Sequence, residues 1–118
     1  MRDGLRWSRR ELLACLVFYA SCTEKERMTI PSVVMDQMLS ALPSRTRASL
    51  KMRFGNFVSL DPQMKNLGHK GLQAGGEQLM LLWNEFSTSE NTLDIQKLLH
   101  SSFFGYGVLK IENVTGEK

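Results

Sequence analysis

The sequence predicts a mainly α-helical domain: a compact bundle of four to five helices with a helix-turn-helix-like pair, and a short C-terminal segment suited to a small hairpin. Three observations predict it. Apolar residues recur at helical spacing in successive segments. Helix start and stop signals flank those segments. The chain has 118 residues, of which 42% are hydrophobic and 23% charged, so it can bury a core without disulfides or metals.

The first helix starts at a capping box. In Ser8-Arg9-Arg10-Glu11 the hydroxyl accepts from the Glu11 backbone N–H, and the carboxylate reaches back to the cap. Trp7 precedes the cap at the staple position, with Leu12 as its partner. The helix runs to about Ser21, and Leu12, Leu13, Leu16, Val17 and Ala20 give it a wide buried face. Its apolar run, Leu12–Ala20, is shorter than the ~20 residues needed to span a bilayer. Asp3 and Glu11 interrupt the basic stretch before it, so it is not read as a signal peptide. No membrane is expected as a partner. Cys15 and Cys22, if on one helix, stand ~10 Å apart along its axis, too far to bridge. They are read as reduced, semi-buried thiols of a cytoplasmic protein.

The polar stretch Cys22–Thr29 predicts a loop. A second helix follows from about Pro31 to Leu42, with Val34, Met35, Met38, Leu39 and Leu42 at helical spacing and Pro43 as its stop. Ser44 or Thr46 can cap a third helix running to about Ser59, whose stripe is Leu50, Phe54, Phe57 and Val58. Asp61-Pro62 marks the exit. Gln63–Gly76 holds four glycines and predicts a loop with at most one short turn. GEQLMLLWNEF predicts a fourth helix with Leu79, Leu82, Trp83 and Phe86 inward, and Thr92–Ser101 a fifth. Residues 1–104 are assigned to the helical domain and 105–118 to a C-terminal extension or linker.

Charge is unevenly placed. Residues 1–70 hold twelve Lys/Arg against six Asp/Glu, and residues 71–118 hold three against six, which together give the net +3. The densest cluster is SRTRASLKMRFGNF, Ser44–Phe57, with no acid from Arg45 to Leu60. Arg47 and Lys51 are i,i+4 neighbours, and Arg45, Ser49 and Arg53 lie near the same half of the helix. Such a face is either solvated or built to meet a polyanion. Cations supply phosphate affinity, and Ser hydroxyls and Arg forks can reach phosphates or base edges. Two short helices joined by a tight turn, the second rich in Arg and Lys, match a helix-turn-helix-like arrangement. Lys65, His69 and Lys70 add a second cationic strip, and Arg9 and Arg10 extend it from the first helix. These ten residues are the candidate DNA contacts.

Catalytic and metal-site signals are weak. The two histidines, His69 and His100, are far apart, and no zinc-ligand spacing or phosphate-binding glycine loop is present. No catalytic residue, metal or cofactor is expected. Trp7, Tyr19, Phe54 and Trp83 are aromatic enough to line a base pocket but suit a core better. Asn56 is read as a partner for backbone groups.

Four blocks occur in order: WSRRELLACLVFY, RTRASLKMRFGNFVSLDP, GLQAGG and LLWNEF. Their Trp7, Ser8, Glu11, Leu12 and Tyr19, then Arg47, Ser49, Leu50, Met52, Arg53, Phe54, Asn56, Phe57, Leu60, Asp61 and Pro62, then Gly71, Leu72, Trp83 and Phe86 carry a resemblance over about residues 5–87. The chain resembles the N-terminal head domain that precedes the HNH nuclease module in McrA-like, modification-dependent restriction endonucleases. The resemblance implies a non-catalytic module that binds double-stranded DNA carrying modified bases, typically modified cytosine. It also implies a nuclease module lying C-terminal in a longer parent protein. A protein-interaction adaptor, such as a phage-encoded inhibitor or an oligomerisation module, is the alternative reading.

Overall fold

The computed structural model describes residues 6–73, 76–90 and 92–106. Among them seven helices appear: α1 Arg9–Ser21, α2 Glu24–Met28, α3 Ser32–Ala41, α4 Arg47–Leu60, α5 Pro62–Asn66, α6 Glu77–Glu85 and α7 Ile95–Tyr106. They form a small helical bundle with no strand among the described residues. Ser87 and Leu93 make an isolated antiparallel bridge in the α6–α7 turn. The predicted fold class therefore holds. The expected C-terminal hairpin falls largely beyond residue 106 and lies outside the described residues.

α1 is the central element. Leu12 to Tyr19 are all buried, and the helix packs against α7, α4 and α3. A helix surrounded by protein has to be apolar on most sides, which explains the unbroken LLACLVFY run. The Ser8–Glu11 capping box forms as expected, with the hydroxyl 3.1 Å from the Glu11 nitrogen and the carboxylate 3.0 Å from the Ser8 nitrogen.

The segment 22–29, expected to be a loop, contains a helix instead, and the loop expected over 63–76 opens with the one short turn it allowed, the five-residue α5. α2 lies within the polar stretch 22–29 and starts at a second capping box, Thr23 with Glu26. α5 begins directly after α4. Asp61 ends α4 and its carboxylate accepts the Gln63 N–H at 2.9 Å, while Pro62 takes the first helical position, where a missing N–H costs nothing. The exit signal of one helix is thus the entry signal of the next.

α3 and α4, the pair expected to be helix–turn–helix-like, are joined through Leu42–Thr46 and pack on each other. Thr46 is the cap of α4: its hydroxyl accepts from the Ser49 nitrogen at 3.2 Å, and Ser49 Oγ accepts from the Thr46 nitrogen at 3.1 Å. Ser44 instead donates to Glu11 Oε2 at 3.2 Å.

The core between α1, α4 and α6 is aromatic. The Tyr19 ring lies 5.3 Å from Phe54, 5.4 Å from Phe57 and 5.9 Å from Trp83, in the tilted and edge-to-face arrangements that suit ring quadrupoles. Its hydroxyl donates to Asp61 Oδ2 at 2.7 Å. Tyr19, Phe54 and Trp83 are therefore interior residues, as their helical positions suggest.

Residues 71–73 lie flat on α4. The Leu72 N–H donates to Gly55 O at 2.9 Å, and Asn56 Nδ2 donates to Leu72 O and Gln73 O at 3.2 and 3.0 Å. Asn56 does serve backbone groups, those of this segment and not of its own helix end. Gly71 has φ +67, and a Cβ there would sit 2.5 Å from Gly55 O.

Candidate nucleic-acid interface

The cationic cluster of the sequence divides into residues that hold the fold and residues that face outward. Arg45 is 5% exposed. Its Nε and Nη2 donate to Glu11 Oε2 and Oε1 at 3.1 and 2.8 Å, Nη2 also reaches Arg6 O at 3.1 Å, and the guanidinium stacks over Trp7 at 4.5 Å. The paired hydrogen bonds with Arg45 hold the Glu11 carboxyl below its ordinary pKa. Arg45, expected from the sequence as a DNA contact, is buried and engaged within the fold.

Arg53, expected likewise, is also engaged within the fold. It is half-buried, lies over Trp7 at 4.6 Å, and donates from Nη1 to Asn56 Oδ1 at 2.9 Å. Its Nε is buried without a hydrogen-bond partner among the described residues. Burial lowers its pKa. The nearby Cys15 thiol, pushed up to about 12 by burial, is neutral at physiological pH and supplies no counter-charge. Ser49 is half-buried and engaged in the α4 cap, donating from Oγ to Thr46 O at 3.0 Å.

Arg9 and His69 are at the surface but paired. Arg9 grips Glu85 through two bonds of 2.8 and 2.6 Å, which raise the Arg9 pKa and lower that of Glu85. This pair links α1 to α6. His69 Nε2 lies 2.8 Å from Glu24 Oε2 and ties the loop after α5 to α2.

The outward-facing set is Arg47, Lys51, Lys65, Lys70 and Arg10, all exposed. Arg47 and Lys51 stand one turn apart on α4 beside Ala48 and Met52, which are also exposed. Arg47 meets Asp36 at 3.3 Å, with both side chains more than half exposed. Lys51, Lys65, Lys70 and Arg10 have no ion-pair partner among the described residues. Lys65 lies on α5, which packs on α4, and the His69–Glu24 pair holds the Lys70 loop against α2, which also packs on α4. The structure thus brings Arg47 and Lys51 together on one helix and places Lys65 and Lys70 on elements bordering it.

Arg27, a residue that the sequence does not single out, organises this side. Its Nε and Nη2 donate to Tyr19 O and Ala20 O at 3.0 and 3.3 Å, and its Nη1 to Asp61 Oδ2 at 3.2 Å, with the guanidinium 4.4 Å above the Tyr19 ring. Its partners are 7 to 34 residues away, so no local signal marks it. Among the described residues no group of His, Cys, Asp and Glu could hold a metal ion, and no helix is long and apolar enough to cross a membrane. No protein-family model, curated protein or solved structure matches the chain.

Proposed function

We propose that this chain is a non-catalytic, cytoplasmic DNA-binding module that engages double-stranded DNA through the outer face of α4. Its resemblance to the head domain of modification-dependent HNH endonucleases extends the proposal. The module directs a nuclease, joined C-terminally in a longer parent protein, to DNA carrying modified cytosine. The observation that carries the reading is the exposed Arg47–Lys51 pair on a helix with no acid of its own, which follows α3 across a short connection. The Asp36 contact is an open surface pair, worth at most about 1 kcal/mol, so a phosphate can replace it. Lys65 and Lys70 extend the cationic surface.

Fluorescence anisotropy on duplexes at several salt concentrations tests this. Arg47→Ala with Lys51→Ala should weaken binding, and the slope of log affinity against log salt should fall by about 0.9 for each phosphate that is no longer neutralised. Unchanged affinity and slope would refute the assignment. Matched duplexes containing unmodified cytosine, 5-methylcytosine or 5-hydroxymethylcytosine test the cytosine-mark part separately.

One observation favours the protein-interaction reading. Met52 is 53% exposed beside Lys51, and Leu72, 51% exposed, lies over Gly55 on the same helix. An apolar strip flanked by cations suits an acidic, partly apolar protein surface. Such a complex would survive excess duplex DNA, whereas a DNA interface would be competed away.

A further inference from the structure

A pocket of about 320 Å³ opens between the end of α2 and α4, lined by Arg27, Met28, Thr29, Ile30, Lys51 and Phe54. Its composition is two cations, one hydroxyl and three apolar side chains, with no acid in the lining. The acids of α2 are turned elsewhere: Glu26 caps Thr23 at 2.8 Å and Glu24 pairs with His69. Asp61 is the carboxylate paired with Arg27, and it also accepts the Tyr19 hydroxyl and the Gln63 N–H.

Arg27 is held in place beside the pocket. Three hydrogen bonds and the Tyr19 ring fix its guanidinium, and its side chain is 14% exposed. The fork has more N–H groups than these three acceptors take up, and the residue borders the pocket. Holding an arginine in place beforehand removes the ordering cost that usually weakens an ion contact. Lys51 faces the pocket from α4 as a mobile point charge, a second type of phosphate binder.

We propose that this pocket is a phosphate seat: Arg27 and Lys51 hold the anion, Thr29 offers its hydroxyl, and Met28 and Ile30 cover an organic group attached to the phosphate, with the buried Phe54 as the floor. The seat takes a phosphomonoester such as a nucleotide, or one phosphate of a nucleic-acid backbone. It shares Lys51 with the duplex-binding surface but does not rest on that reading.

Amide NMR on the full chain tests it, with inorganic phosphate, deoxycytidine monophosphate and a short duplex as separate titrants. Inorganic phosphate should give saturable shifts confined to residues 27–30 and 51–54. The monophosphate should bind at least about tenfold tighter, because the apolar wall then contributes. Lys51→Ala should weaken both at least about tenfold, and Lys51→Arg should restore them. Lys51 is exposed, so its replacement leaves the fold intact. Absent shifts, or non-saturating shifts spread equally over Lys65 and Lys70, would overturn the proposal. If the duplex moves the same amides, the phosphate is the backbone's; if inorganic phosphate and the monophosphate move them and the duplex does not, the seat serves a free ligand. The duplex reading can fail alone: phosphate shifts would then persist in a chain that binds no DNA. The seat can also fail alone, with duplex binding that depends on Arg47 but no response to phosphate.

Discussion

At the scale of single residues, partner identity separates scaffold from surface. Arg45 and Lys51 have the same sign and lie six positions apart, yet one is interior and the other open. Nothing local in the sequence distinguishes them, because the partner of Arg45 is Glu11, 34 residues away. Glu11 is legible as a cap and not as half of an ion pair. Arg45→Ala takes the charge partner from that carboxylate, which keeps only the Ser8 N–H and Ser44 Oγ bonds, and the chain should lose about 1–3 kcal/mol in denaturant unfolding. Arg47→Ala should change stability by less than about 0.5 kcal/mol. The glycines give a second contrast. Gly68 has φ +95 with open space around it, while Gly71 has φ +67 and backbone atoms of α4 at 2.5 and 2.6 Å from any added Cβ. Gly68→Ala should cost about 1 kcal/mol from conformation alone. Gly71→Ala should cost about 3 kcal/mol or more, since segment 71–73 must lift from Gly55.

Among the elements, those with local signatures are readable. The α1 capping box, the Pro31 start, the Thr46 cap and the α6 stripe all lie within one or two turns of sequence. α2 escapes a periodicity reading although Thr23-x-x-Glu26 repeats the S/T-x-x-E signature that locates α1. What α2 lacks is buried apolar residues. It is held by Arg27, whose bonds reach α1 and the α4–α5 junction. α5 is hidden because Asp-Pro reads equally as a stop and a start. The junction therefore depends on one buried polar cluster, Tyr19, Asp61 and Arg27. Tyr19→Phe removes a 2.7 Å hydrogen bond to a carboxylate that is 3% exposed. The expected loss is about 1–3 kcal/mol, with an unchanged denaturant m-value because the packing shape is kept. A change in m would point to loosening of α2 and α5 instead.

For the whole molecule, the bundle is tied at its surface by carboxylates that titrate below their ordinary range. Hydrogen bonds from Arg45 lower the Glu11 pKa and hydrogen bonds from Arg9 lower that of Glu85. A depressed folded pKa stabilises fully above the unfolded value, near 4.5, and that contribution vanishes as pH falls through the folded values. Thermal unfolding should therefore show a falling Tm below about pH 4.5, with a shallower fall in Glu11→Gln. The basic lean of the N-terminal half is plain from composition, but composition cannot show how much of it acids from distant elements neutralise. The interior records a last consequence. The chain has two tryptophans. Trp83 sits among Tyr19 and Phe57, whereas Trp7 lies under the guanidinium groups of Arg45 and Arg53. The protein thus carries two native optical reporters in chemically distinct settings. Emission from a Trp83→Phe chain follows the docking of the N-terminal entry, emission from a Trp7→Phe chain follows the aromatic centre, and stopped-flow traces of the two would show which closes first.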